Sequence, residues 1–199
     1  MQKIMFNDRY MLTDLVLSGQ KTQTRRIIKP QDERLDYLRG WNLDWGFAEF
    51  GREGEPLLRL CPKYYVGEVV AVAQSYEKAG VEIVPFKKGC GKWGNPRKLA
   101  GWTNKKFVRA DLMPHAIKIT NIRVERLQDI SDEDCLAEGI EKMIVGCEYY
   151  CYSFLHPNKM WEDFKSPRQA YATLIDKING KGTWESNPYV FVYDFKLVK

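Results

Sequence analysis

The sequence predicts an α+β protein built on a small β-barrel, with flanking helices and two inserted loops or hairpins. Three observations carry that expectation. Short β-favouring runs are separated by long polar, Gly-rich stretches, one amphipathic helix stands near the start, and another stands just before the last strand. Strand and helix runs do not alternate, which argues against a doubly wound α/β sheet. With 199 residues, 44% of them apolar and 29% charged, the chain can bury one sizeable core. We therefore expect a single domain over residues 1–199, with insertions at about 31–60 and 80–106.

The elements follow in chain order. Ile4 to Phe6 reads as a short strand, and Asp8 stands where a cap would begin a helix burying Met11, Leu12, Leu15 and Val16, stopped by Gly19. Thr22 to Ile28 favours a strand that ends at Pro30, which has no N–H for a ladder. Residues 31–60 carry Trp41, Trp45, Phe47 and Phe50 among charges. Such aromatics either stack on bases or make a small core of their own. Tyr65-Val66-Gly67-Glu68 turns into Val69–Ala73, apolar on both faces as an interior strand is. Between Gly80 and Lys106, basic residues alternate with Trp93 and Trp102, a composition suited to RNA and equally to a solvated loop with self-packed tryptophans.

Ile117 to Leu127 is a long strand in which Ile117, Ile119, Ile122 and Val124 alternate imperfectly with polar residues. Ser131 caps the next helix, Asp134 three residues on approximates a capping box, and Gly139 ends it. Glu138 thus falls at the helix C-terminus, where the dipole disfavours a carboxylate and points to work rather than structure. Residues 146–159 read as an aromatic, Cys-bearing loop without periodicity. Ser166-Pro167 starts a helix with Tyr171, Leu174, Ile175 and Ile178 on one face, closed by Asn179-Gly180. The last strand, Tyr189 to Val198, has one aromatic face and is expected to close a sheet.

The net charge of +5 leans toward anionic partners, a modest excess for a nucleic-acid binder. No apolar run reaches the 18 or so residues of a membrane span, and the N-terminus lacks a signal-peptide core, so a cytoplasmic location without membrane partners is expected. Five cysteines without a Cys-x-x-Cys pair point to reduced thiols. Cys147, Cys151 and His156 make only a weak metal-site pattern, so neither metal nor other cofactor is expected.

The chemistry concentrates in Gly19-Gln20-Lys21-Thr22-Gln23-Thr24-Arg25-Arg26. Lys21 and Thr24 offer an amine and a hydroxyl, the pair needed for a base-activated nucleophile, while Arg25 and Arg26 offer donor forks that suit phosphate. The same residues also fit a half-buried strand with a solvated basic edge. Residues three apart on a strand face opposite ways, so Lys21 and Thr24 serve one pocket only if Lys21 lies in the turn or a bulge intervenes.

Taken together, that segment, Cys61-Pro62 with Val66-Gly67-Glu68, Met113-Pro114, Val124 through Asp134, Ala137-Glu138-Gly139-Ile140 and Trp184 through Val190 resemble, in order, the ASCH domain proteins, particularly long phage and prophage-associated members. The resemblance implies a PUA-like β-barrel used for RNA or modified-nucleoside recognition. In a small bacterial branch it implies an amidohydrolase that deacetylates N4-acetylcytidine. Carried over singly, the branch's Lys falls on Lys21, its Thr on Thr24 and its Glu on Glu138. Lys21 would then take the Thr24 proton, Thr24 attack the acetyl carbonyl, and Glu138 orient Lys21 or pass a proton to the leaving nitrogen. The chain departs from the long members at Val72-Ala73-Gln74-Ser75, where Val-Arg-Glu-Thr is usual. If that pair lines the pocket, recognition has changed.

Three functions are compatible with these residues. One is a binding module whose Arg25, Arg26, Lys118 and Arg123 meet phosphate while the barrel mouth holds a base. The second is a hydrolase acting through Lys21, Thr24 and Glu138. The third is a phage accessory protein with a protein partner, for which a large exposed apolar patch would speak.

Overall fold

The computed structural model describes residues 1–29, 35, 37–42, 46–54, 56–82, 99–145, 149–155 and 162–198. Its strands are β1 (Lys3–Ile4), β2 (Gln23–Ile27), β3 (Leu38–Asn42), β4 (Phe47–Phe50), β5 (Leu58–Leu60), β6 (Val69–Val72), β7 (Ala116–Arg126), β8 (Glu141–Val145), β9 (Tyr149–Ser153) and β10 (Tyr189–Leu197). Its α-helices are α1 (Leu12–Leu17), α2 (Asp132–Ala137), α3 (Pro167–Asn179) and α4 (Thr183–Ser186). The class is α+β, as expected.

The main sheet has the order β1-β6-β7-β10-β2, with only β1 and β6 parallel. β10 lies between β7 and β2, so the last strand is interior rather than a closing edge. That position accounts for its burial on both faces. Each aromatic of its one face meets an aromatic from elsewhere in the chain. Phe6 packs on Phe195, Tyr64 on Tyr193, Trp41 on Phe191 and Phe50 on Tyr189, with ring centroids 5.4–5.9 Å apart. Such pairs add about 0.5–1.5 kcal/mol each beyond buried area. The antiparallel β3-β4-β5 sheet of the first insertion therefore spends Trp41 and Phe50 on the main core. Trp45 and Trp93 lie outside the described residues.

The imperfect alternation of β7 has a structural cause. Asp194 pairs with Asn121 but Phe195 pairs with Ile119, so Thr120 is an extra residue on β7. The bulge shifts the apolar set by one, and Ile117, Ile119 and Ile122 all remain buried.

No closed barrel is present among the described residues, so of the expected architecture the α+β class is shown and the barrel is not. β1 pairs for only two residues before the chain turns at Asn7, so it has no length left to reach β2. The seam between these edges is bridged by a side chain instead: Arg26 Nη2 donates to the Met5 carbonyl at 2.7 Å, and its guanidinium lies 5.8 Å from the Phe6 ring centre.

Two local readings are also revised. The first helix is split: Asn7 caps a single 3-10 turn, Met11 takes φ +54°, and α1 starts only at Leu12, leaving Met11 exposed. The expected loop at 146–159 contains β9, paired with β8 as a hairpin; its Cys147 and His156 lie outside the described residues. By contrast, Ser131 and Ser166 cap α2 and α3 as their sequences require. No described helix is long and apolar enough to cross a membrane.

Candidate active site

Local signals bring the site together. Gly19 takes φ +77° to end α1, and the Lys21 amide donates back to the Leu15 carbonyl at 2.9 Å, so Lys21 sits in the turn before β2 rather than on the strand. That placement removes the three-residue facing problem. Thr22 then donates its N–H to Ala137 O at 2.9 Å and accepts from Phe195 N at 2.8 Å, tying this turn to the end of α2 and to β10.

Glu138 is the C-cap of α2, and Gly139 at φ +103° turns the chain away behind it. Lys21 Nζ donates to the Glu138 carboxylate (Oε2) and to the Glu138 carbonyl, each at 2.5 Å. Both side chains are buried, with only 2% of Lys21 and 5% of Glu138 exposed. Burial pushes the Lys21 amine below its usual pKa, with the nearby positive charges of Arg26 and Arg25 adding to it and the Glu138 carboxylate opposing.

Lys21, Thr24 and Glu138 line one cleft of about 90 Å³. A single water needs only about 10–15 Å³ on this measure, so a group of several heavy atoms has room. One wall is the apolar face of α3, formed by Tyr171, Leu174, Ile175 and Ile178. Phe6, Asn7 and Thr24–Ile27 also line the cleft, which places it beside the Arg26–Met5 seam.

The four cations expected to meet phosphate stand in different surroundings. The Arg25 side chain is fully buried and donates to Glu125, Asp134, Glu138 and Gln23. Arg123, on β7, spends its donors on Glu125, Asp134 and Asp194. Asp134 is held below the usual carboxylate range: burial alone would raise it, but hydrogen bonds from Gln23 and Arg25 and the charges of Arg25 and Arg123 outweigh that. This network joins β2, β7, β10 and α2 and fixes where Glu138 stands. Lys118 is exposed opposite Lys196, at the far end of β7 from Glu125. Arg26 alone of the four borders two open grooves as well as the cleft. The grooves share Ile27 and Lys29 and are lined further by Lys3, Lys63 and Tyr64 in one and by Asn179 and Thr183 in the other.

No family model, curated protein or solved structure matches the chain. The site is therefore read from its own chemistry. Ala73 and Gln74 belong to a separate small core around Tyr76, Val108 and Met113 or its edge, and neither lines the cleft. One lining residue is not singled out by the sequence. Tyr171 reads as part of an apolar helix face, and the signal against that is a hydroxyl among aliphatic neighbours. No cluster of His, Cys, Asp and Glu able to hold a metal occurs among the described residues.

Proposed function

We propose that this chain is an ASCH-type amidohydrolase that cleaves the acyl amide of a modified nucleoside of the N4-acetylcytidine class. The observation that carries the reading is the buried Lys21 amine, paired with Glu138 and sharing one small cleft with the Thr24 hydroxyl. The ordered resemblance to ASCH proteins supports it, with the sheet then being an unclosed variant of the PUA-like barrel.

A neutral Lys21 has two N–H groups and one lone pair. Glu138 can accept both N–H groups, through its carboxylate and its carbonyl, which leaves the lone pair as the base. Arg25 Nη1 lies 3.3 Å from Glu138 Oε1 and supplies the positive charge that lets the carboxylate stay ionised beside a neutral amine. Lys21 takes the Thr24 proton as Oγ1 attacks the acyl carbonyl. The resulting ammonium passes a proton to the exocyclic nitrogen as the C–N bond breaks, releasing the amine and leaving acyl-Thr24. Water, deprotonated by Lys21, then hydrolyses that ester and regenerates the hydroxyl. The cleft has room for the acyl amide, with base and sugar lying in the grooves at Arg26.

A second reading, RNA or nucleoside binding without turnover, is favoured by those basic grooves alone. Chromatographic assay of cytidine release from N4-acetylcytidine decides between them. Turnover by the wild type, abolished in folded Lys21→Ala and Thr24→Ala proteins, is the expected result; an inactive wild type removes the substrate assignment.

A further inference from the structure

Among the described residues, Tyr171 lines the cleft and carries a buried hydroxyl without a partner. The residue sits in the second turn of α3 and is 2% exposed, among the largest fully enclosed side chains in the molecule. Its ring has a structural task, packing edge-on against Trp184 at 6.2 Å. Its oxygen has none: among the described residues no partner lies within hydrogen-bonding distance of Oη. A buried hydroxyl left unpaired costs about 1–3 kcal/mol, and phenylalanine would fill the same space without that cost. Among the described residues, only two other buried side-chain atoms share this condition, Trp41 Nε1 and Gln74 Oε1, and neither residue lines the cleft.

The surroundings define what the hydroxyl can do. Burial, reinforced by the negative charge of Glu138 and opposed by Arg25, pushes the phenol well above its usual range, so it remains a donor at any working pH. Tyr171 lines the same cleft as Arg25 and Glu138, which pair at 3.3 Å. Thr24, on β2, lines this cleft as well.

We infer that Tyr171 Oη–H is the donor that receives the acyl carbonyl oxygen of the bound amide and holds it as it becomes an oxyanion during attack by Thr24. This rests on the amidohydrolase reading for its chemistry, but the binding half stands on the unpaired hydroxyl itself. A carbonyl oxygen arriving there gains a partner that the empty protein does not provide, and the bond strengthens as charge develops on the oxygen.

Tyr171→Phe separates the two halves. Because the ring is kept and an unpaired polar atom removed, the variant should melt at the same temperature as wild type or higher, the reverse of what loss of a structural hydrogen bond produces. With acetamide as the probe, excess ligand should raise the melting temperature of wild type and fail to raise that of Tyr171→Phe. With N4-acetylcytidine, kcat should fall by roughly 100-fold or more, the loss seen when one oxyanion donor is removed, with a smaller change in KM. A lower melting temperature for Tyr171→Phe, an equal acetamide response in both proteins, or no response in either overturns the inference. An acetamide response confined to wild type, in a protein that does not hydrolyse N4-acetylcytidine, keeps the carbonyl site and removes only the substrate.

Discussion

Two Lys–Thr–carboxylate clusters stand among the described residues, and they differ in what remains unspent. In one, Lys105 Nζ donates to the Phe6 carbonyl, to Asp8 Oδ1 at 2.5 Å and to Thr13 Oγ1 at 3.0 Å, while Thr13 Oγ1 donates to Asp8 Oδ1 at 2.5 Å. All three ammonium protons have protein acceptors, and the hydroxyl is committed as a donor. The cluster fastens the end of the second insertion to the turn before α1. In the other, Lys21 meets only the two acceptors that Glu138 supplies, and it lines a cleft together with Thr24 and Tyr171, whose hydroxyl is unpaired. Both lysines are lowered in pKa, burial being the largest cause in each. Residue type and pKa direction thus do not separate the two clusters; unspent hydrogen-bonding capacity beside a cavity does, and the proposed chemistry rests on it.

The largest test of that contrast exchanges each lysine for methionine. Lys21→Met should reduce turnover by about 10²–10⁴-fold, the range for a general base. Lys105→Met should leave kcat near wild type but lower stability by about 1–3 kcal/mol in urea unfolding, since Asp8 and Thr13 lose a buried partner. Comparable loss of turnover in both would dissolve the distinction.

A smaller effect is expected at the glycine behind Glu138. A Cβ at Gly139 would enter the left-handed region and approach Leu15 Cδ1 to 3.0 Å and Leu12 Cδ2 to 3.4 Å. Gly139→Ala should therefore cost about 1–3 kcal/mol and depress kcat by shifting the Glu138 carbonyl off Lys21. Gly180, at φ +112° and with nothing within 4 Å of where a Cβ would stand, is the control: Gly180→Ala should incur the backbone strain alone and keep kcat. Equal kcat in both would mean that the Glu138 carbonyl is not part of the base.

The clusters should also separate on a pH axis. Turnover needs neutral Lys21, so it rises with pH, and its acid limb falls below 10.5 because burial lowers the amine in the folded protein. Asp8 has a different signature: burial raises its pKa, but the Lys105 and Thr13 hydrogen bonds outweigh that and hold it below 3.8. The unfolded chain then binds the proton more tightly, so the stabilisation is present above about pH 3.8 and lost as pH falls through the folded value. Asp8→Asn should flatten that acid loss in thermal melts without moving the limb of the turnover profile; a shift of the limb would couple the two clusters.

Much of the fold is legible in the residue order because its signals are local. Ser131, Ser166-Pro167 and Gly19 set helix ends through backbone hydrogen bonds and φ, and the alternation of β10 requires an aromatic face whatever covers it. Even the irregular alternation of β7 is a correct trace of the bulge at Thr120. The β8–β9 hairpin is not legible because its strand residues carry no alternation, and Arg25 looks like a phosphate fork because its neighbours in sequence do not include Glu125 and Asp134.

Residue order alone therefore specifies most of the elements and points to the reactive pair Lys21 and Thr24 with the acid Glu138. Which charges are consumed and which are left is settled only in the folded molecule. Lys21 and Glu138 stand 117 residues apart, Arg25 is enclosed by carboxylates from two other elements, and Tyr171 is left without a partner by packing that its helix cannot encode. The reason is physical: caps, turns and periodicity act over a few residues along the chain, whereas burial and hydrogen-bond partnership are settled only when distant segments meet.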